Sequence, residues 1–297
     1  MTTLQGRSKI VWVIFLSSLG VLIGCAARLP TAKYELLQES ASSLLNNTTD
    51  TYFRIEKLQH RFAVTTAPDA AITRQSFKPL IGGQSFDLTP ELRFREDALE
   101  VLVDYLQVLR ALATKDYLKN VDKATLQLGG SLRNLLESSQ LLPESQETKV
   151  TGIFAALMNQ MAREIVKQET RTALKQAMDL AQDDIDKLVA LIVQSNLKIK
   201  LTIGVMLTPL INHANEVRPQ AGTLPRLPFD LEFAAIIAEA DEIEASLDAV
   251  NRGLEKIPAA HKEIRRHLDK IQSAFDSLQE LAREARRAQK FYRNLKD

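Results

Sequence analysis

Cysteine is nearly missing. Cys25 is the only one in 297 residues, so no disulfide forms within the chain and the core must hold by packing alone. Net charge is also small. A formal total of +1 supplies no global field to gather nucleic acid. Glycine and proline number eleven and ten, while Leu, Ala, Glu, Lys, Gln and Arg dominate, a mix that favours helix. Histidine occurs four times. His261 and His267 do not share a helix face. Glu263 and His267 do, but four residues apart, which is not the Glu-x-x-His spacing of di-iron bundles. There is no Gly-x-Ser-x-Gly elbow and no phosphate-binding glycine loop. Asp183, Asp184 and Asp186 lack the loop of a calcium site and read as a solvated helix start. No metal site, no catalytic residue and no cofactor is expected.

What is present begins at the front. Arg7 and Lys9 precede an apolar run from Ile10 to Ile23, and small residues follow at Gly24, Ala26 and Ala27. Positive flank, short apolar core and small-residue site are the parts of a secretory signal. A spanning helix needs about 20 apolar residues, and Arg28 ends the run just short of that. Leu22-Ile23-Gly24-Cys25 resembles the lipobox of bacterial lipoproteins. The resemblance implies cleavage between Gly24 and Cys25, a diacylglyceryl group on the thiol and an N-acyl chain on the new amino end. Two or more chains anchor stably, at about 0.8 kcal/mol per buried CH₂. Ala26, where an aspartate would signal inner-membrane retention, implies the outer membrane, facing the periplasm. Residues 1–24 are thus expected to be removed and 25–32 to form a lipidated N-terminus and short tether.

Residues 33–217 read as a helical bundle. Apolar steps of three and four at 34, 37, 41, 44, 48, 52, 55, 58 and 62 predict one amphipathic helix ending before Pro68. Asn46-Asn47-Thr48-Thr49 reads as part of its polar face. Residues 68–89 lack periodicity and read as a loop, long enough to be functional. Thr89 as N-cap, Pro90 and Glu91 open a second helix, whose wide apolar stripe predicts a central position. A third runs from about 116 to 140 and contains Gly129-Gly130, a pair expected to mark a close crossing or kink. Val150, Ile153, Phe154, Leu157, Met161 and Ile165 form a further stripe. The next begins at Leu174, with a break expected within 168–184, at Asp183. The apolar stretch 188–211 contains Asn196, Lys198, Lys200 and Pro209, and a charge at mid-membrane costs about 2.5–3.5 kcal/mol. It therefore reads as a buried bundle helix.

Residues 218–228 hold three prolines and one glycine and read as a linker. Residues 229–297 then carry a heptad with Phe233, Ile237, Ala240, Ile243, Leu247, Val250, Leu254 and Ile257 in its first half, and with His261 as a seam or turn residue. Residues 229–257 hold eight acidic and two basic side chains, and residues 258–297 hold ten basic and six acidic. This asymmetry predicts an antiparallel hairpin turning at 252–258, with Asp230 and Glu232 near Arg283, Arg286 and Arg287. Arg283, Arg286, Arg287, Lys290 and Arg293 are also candidates for contact with anions or lipid headgroups.

The expected fold is all-α: a multi-helix antiparallel bundle with a C-terminal coiled-coil-like hairpin. The body resembles helical bacterial envelope lipoproteins of no assigned activity. The expected function is non-enzymatic, a lipid-anchored scaffold or adaptor for another envelope protein, with 68–89 as a partner contact. A membrane-active protein inserting 188–211 and a hydrolase of envelope polymers are the alternatives.

Overall fold

The computed structural model describes residues 31–66, 80–81, 84–85, 87–113, 117–139, 170–219, 223–268 and 276–294. The fold is all-α. In chain order the elements are α1 (Thr31–Thr66), a two-residue antiparallel ladder of β1 (Leu80–Ile81) and β2 (Gln84–Ser85), α2 (Thr89–Ala113), α3 (Tyr117–Ser139), α4 (Thr170–Val217), α5 (Thr223–Leu254), α6 (Ile257–Arg266) and α7 (Asp276–Asn294). The ladder lies inside the stretch expected to be loop. The stripe at 150–165 lies outside the described residues.

α1 forms as its periodicity predicts. All nine stripe positions, from Tyr34 to Phe62, are buried, because steps of three and four keep them on one face. The polar quartet is split: Asn46 is exposed, whereas Asn47 and Thr48 are buried. α2 is central, with buried residues on nearly every side. Its start differs by one residue from expectation. Leu92 N–H bonds the Leu88 carbonyl at 2.9 Å, which makes Leu88 the N-cap. The free amides just before that bond are taken by side chains: Thr89 N–H by Asp87 Oδ1 and Leu88 N–H by Gln59 Oε1, each at 3.1 Å.

α4 runs unbroken for 48 residues, about 72 Å. The break expected at Asp183 does not exist, and the aspartates lie inside the helix rather than at its start. The buried stripe Leu174, Ala177, Ala181, Ile185, Leu188 and Ile192 crosses that region without a lost step, so the same packing supports both sides. Pro209 sits within α4, on an exposed face where water reaches the carbonyl it leaves unbonded.

The helices alternate in direction. Gln38 meets Arg110 at 3.1 Å while Gln59 meets Leu88, so α1 and α2 are antiparallel. Asn196 meets Asn251 and Lys200 meets Asp248, both at 2.7 Å, which sets α4 against α5. Arg54–Glu242 at 2.6 Å and Arg61–Glu239 at 2.5 Å do the same for α1 and α5.

The C-terminal third departs from a simple hairpin. α5 starts at Thr223, so half of the expected linker is helix and Pro228 lies inside it. Ile236 is buried and Ile237 only half-buried, a one-residue shift in the seam. The chain turns at Glu255–Lys256 into the short α6, which packs against α4 through Arg265–Asp179 and Gln182–His261. α7 then returns antiparallel to α5, with Arg252–Glu284 at 3.9 Å and Lys256–Glu280 at 3.0 Å. The predicted charge pairing is wrong. Asp230 bonds Arg218 at 3.0 Å and Glu232 bonds Arg61 at 2.6 Å. α6 and the residues after it shift α7 along α5, and α1 supplies the basic partner instead.

The glycines also reverse expectation. A Cβ on Gly129 or Gly130 would meet nothing within 4 Å, whereas one on Gly253 would lie 2.5 and 2.9 Å from the two Cδ atoms of Leu44. Leu44 is fully buried, so a shift of its side chain must displace the core packed around it. Gly253 is therefore the close crossing, where α5 meets α1. Gly253→Ala should lower stability by about 1–2 kcal/mol, overpacking outweighing the gain in helix propensity. Gly129→Ala should raise it by up to about 1 kcal/mol. Urea unfolding midpoints of the two variants check both signs.

Two apolar clusters form the core. The larger includes Tyr34, Leu37 and Leu44 of α1, most of α2, α3, the first half of α4, and α6 and α7. The smaller includes Tyr52 to Phe62 of α1, Leu88 and Leu92, Ile199 to Leu210 of α4 and Ile236 to Leu247 of α5. Between them lies a buried polar layer. Tyr52 Oη donates to Asn196 Oδ1, and Asn196 Nδ2 donates to Asn251 Oδ1, each at 2.7 Å. Thr51 and Ser246 share a hydrogen bond of 2.7 Å. Arg95 reaches the same level from α2 and is 6% exposed. Its burial lowers its pKa against the neighbouring Tyr52 and Glu91.

Candidate functional site

Among the described residues no group of three or more His, Cys, Asp or Glu side chains is placed to hold a metal ion. His60 is exposed, and His213 and His267 are half-buried. His261 is different: it is fully buried. Its Nε2 lies 2.9 Å from Tyr105 Oη and its Nδ1 lies 2.8 Å from Gln182 Oε1. Gln182 Nε2 donates to Asp186 Oδ1 at 2.8 Å and toward the Pro258 carbonyl at 3.4 Å. Both of these are acceptors, so Oε1 must face the imidazole and Nδ1 carries the hydrogen. Nε2 then accepts from the Tyr105 hydroxyl. Burial lowers the His261 pKa to about 3, against an opposing pull from Asp179. The imidazole is neutral and saturated, which makes it a tie between α2, α4 and α6. Nothing in its sequence spacing signalled this, because Tyr105 and Gln182 lie 156 and 79 residues away.

A groove of about 630 Å³ lies between α1 and α2, lined by Asp50, Glu96, Asp97 and Glu100 among others. Burial and then Asp104, Asp97 and Glu96 raise the Glu100 pKa. The groove is acidic: four of its lining side chains are carboxylates.

The basic residues of α7 stand on its outer face. Leu278, Leu281, Ala282, Ala285 and Ala288 are buried, and Arg283, Arg286, Arg287 and Lys290 are exposed at steps of three, one and three. Arg287 bonds Glu284 at 2.6 Å, Arg283 approaches Glu280 at 3.8 Å, and Arg286 Nε donates to the Ala282 carbonyl at 3.1 Å. The patch is thus partly neutralised by its own helix. The Arg293 side chain, Gly24 and Cys25 lie outside the described residues, as does most of 68–89.

The stretch 188–211 is not the fully buried helix the sequence implied. Ile192, Asn196, Ile199, Ile203, Met206 and Leu210 are buried. On the opposite face Leu197, Leu201, Val205 and Ile211 are 48, 73, 52 and 38% exposed. Leu174–Glu216 is long and apolar enough to cross a membrane, and a third of its most apolar stretch is buried. A two-sided apolar helix is therefore covered on one face only, and its outer face carries four exposed large apolar side chains. Compared with family models, characterised proteins and solved structures, the chain matches none.

Proposed function

We propose that this chain is a lipoprotein whose helical body acts as a membrane-tethered adaptor for another protein of the cell envelope. The observation that carries the reading is the order of features around the single thiol: Arg7 and Lys9, the apolar run 10–23, then Leu22-Ile23-Gly24-Cys25. α1 starts at Thr31, six residues after that cysteine. Such a tether reaches at most about 20 Å, which keeps the body close to the bilayer. The proposed location is the outer membrane, on its periplasmic side. What the body offers is length and surface: α1 alone is 36 residues, about 54 Å, and α4 carries an apolar face on each side. These features suit binding, not turnover.

The anchor is tested by Cys25→Ser. Expressed in a bacterium with lipoprotein processing, the wild-type chain should enter the detergent phase on Triton X-114 partition and lack residues 1–24. Its N-terminal fragment should be heavier than its sequence by the acyl groups. Cys25→Ser should keep the uncleaved front and carry no acyl mass. An unmodified thiol on the mature wild-type chain overturns the reading.

A second reading draws on the length and apolarity of Leu174–Glu216: 188–211 leaves the bundle and enters a bilayer. That step would break Lys200–Asp248 and the Tyr52–Asn196–Asn251 chain. Dye leakage from liposomes on adding the mature body tests it, and intact liposomes dismiss it.

A further inference from the structure

α2 carries an acidic stripe at Glu96, Asp97, Glu100 and Asp104. The fold treats its two ends differently. At one end Asp104 is sealed against α3: Gln127 Nε2 donates to its Oδ1 at 2.8 Å and Ser131 Oγ to its Oδ2 at 2.5 Å. At the other end Glu96, Asp97 and Glu100 line the groove of about 630 Å³, with Leu45, Thr49 and Asp50 of α1 on the facing wall. Asp97 is only 9% exposed, yet its Oδ2 is buried with no hydrogen-bond partner. A buried carboxylate oxygen is ordinarily satisfied, and one left bare marks a missing donor. Asp104 shows that α3 supplies donors to this stripe where the two helices meet. For Asp97 no neighbouring side chain does. Among the described residues no lysine, arginine or histidine forms an ion pair with Glu96, Asp97 or Glu100. The charges that act on Glu100 come from Asp104, Asp97 and Glu96, all of one sign. Two cations of α1 are engaged elsewhere: Arg54 bonds Glu242 at 2.6 Å, and Lys57 Nζ lies 4.4 Å from the centre of the Phe53 ring.

These features restrict the ligand. It must be a cation that donates hydrogen bonds, since an ionised carboxylate only accepts them. A bare metal ion fits poorly, because the carboxylates are spread along the groove and, among the described residues, no three converge on one point. A single lysine head from a partner protein leaves most of the negative charge unmet. A flexible chain with several ammonium groups meets it. Glu96 and Glu100 stand one turn apart, about 6 Å along the axis, a span that matches two ammonium groups joined by four methylenes. Leu45 offers those methylenes an apolar surface, as lysine stems find on many proteins. The groove also falls within the range of small-molecule sites, about 300–1,000 Å³.

We infer that the groove between α1 and α2 binds a linear polyamine, held by Glu96, Asp97 and Glu100 with Asp50 on the facing wall. The Asp97 oxygen receives the N–H it lacks, and the paired glutamates take the neighbouring ammonium groups. This site goes beyond the adaptor reading and does not depend on the lipid anchor, so either can fail without the other.

The test titrates spermidine into the purified full-length protein in nonionic detergent at physiological salt, read by calorimetry. The expected result is saturable binding of one spermidine per chain. Glu96→Gln with Glu100→Gln should weaken it about tenfold, through the loss of two half-exposed ion pairs. That variant should unfold at the same or a higher urea concentration, because like charges are removed. Asp183→Asn with Asp241→Asn removes the same charge from exposed positions elsewhere and should leave binding unchanged. Thr49→Lys places an ammonium group on the groove wall and should abolish binding while raising the urea midpoint. No saturable binding, as when a cation from residues 140–169 of the chain already fills the groove, overturns the inference. So does equal weakening in the Asp183 and Asp241 variant, which would mean unspecific attraction to surface charge. Magnesium chloride binding as tightly, with the same dependence on Glu96 and Glu100, would make this a divalent-cation site instead. A trilysine peptide binding more tightly than spermidine would make it a docking site for a basic protein segment, and either result also overturns the inference.

Discussion

Asn196→Leu is expected to lower the free energy of unfolding by about 4 kcal/mol, a large part of the 5–15 kcal/mol that holds a typical domain. The side chain is fully buried and forms both links of the chain from Tyr52 to Asn251. Leucine is of similar size, so packing is nearly conserved. What changes is that the Tyr52 hydroxyl and the Asn251 amide oxygen are left in the core without partners, at about 1–3 kcal/mol each. Tyr52 cannot escape by ionising: burial holds its pKa far above the usual phenol value, in spite of the nearby Arg95 and the Asn196 bond. The triple variant Tyr52→Phe, Asn196→Leu, Asn251→Leu should recover most of the loss, because no orphaned group remains. The non-additivity is the signature of a network. Urea titrations of the single and triple variants measure it. A single variant within about 0.5 kcal/mol of wild type would show that the layer carries no stability.

The layer also explains why the bundle has one register. α4 and α5 both repeat in steps of four and three, and a purely apolar pair could slide by a heptad. Asn196 opposite Asn251, with Thr51 opposite Ser246, has only one alignment in which these four side chains meet. A buried polar residue in this role is well attested in coiled coils. The triple variant should therefore be stable yet less uniquely packed, which binding of a hydrophobic dye would reveal.

Periodicity made part of this structure legible. Nine stripe positions of α1 are all core, because a local repeat decides which face a helix buries. The all-α class and the central place of α2 followed from the same signal. What failed was non-local. Gly253 looks ordinary in sequence, because the atom that forbids a side chain there belongs to Leu44, 209 positions earlier in the chain. Gly129-Gly130 looks special, yet a side chain at either position would meet nothing within 4 Å. Charge asymmetry suggested the antiparallel return of α7 but not its register, since short α6 and the residues after it move α7 along α5 and Arg61 of α1 competes for Glu232. Asn196 was visible as a polar interruption, but its partners on α1 and α5 were not. The candidate site divides in the same way. The features around Cys25 are contiguous and can be read directly. The acidic stripe of α2 is as contiguous, but only tertiary packing decides that Asp104 is covered by α3 and that Asp97 lines a groove.

Acid should weaken the fold through His261. Its pKa is about 3 in the folded chain and near 6.5 in the unfolded chain. Below pH 6.5 the unfolded state therefore binds the proton that the folded state refuses. The stability from this group is fully present above pH 6.5 and is lost as pH falls toward 3, at about 1.4 kcal/mol per unit. The physical cause is burial: the ring sits in a site closed to water, where the charged imidazolium loses its hydration, and Asp179, held by Arg265, offsets only part of that cost. Asp104, Glu100, Glu56 and Asp184 pull the other way. Burial raises the pKa of each, so each adds stability on acidification and flattens the total profile. His261→Gln isolates the imidazole, since an amide can still donate to Gln182 and accept from Tyr105 but does not titrate. At pH 7.5 the variant should be the less stable of the two, having lost ring packing. By pH 4.5 the gap should shift in its favour by about 2–3 kcal/mol, two units of the linkage slope. Urea midpoints at the two pH values decide the matter. Parallel profiles would mean that His261 is protonated in the folded chain and that the Tyr105–His261–Gln182 tie is drawn with the wrong hydrogen.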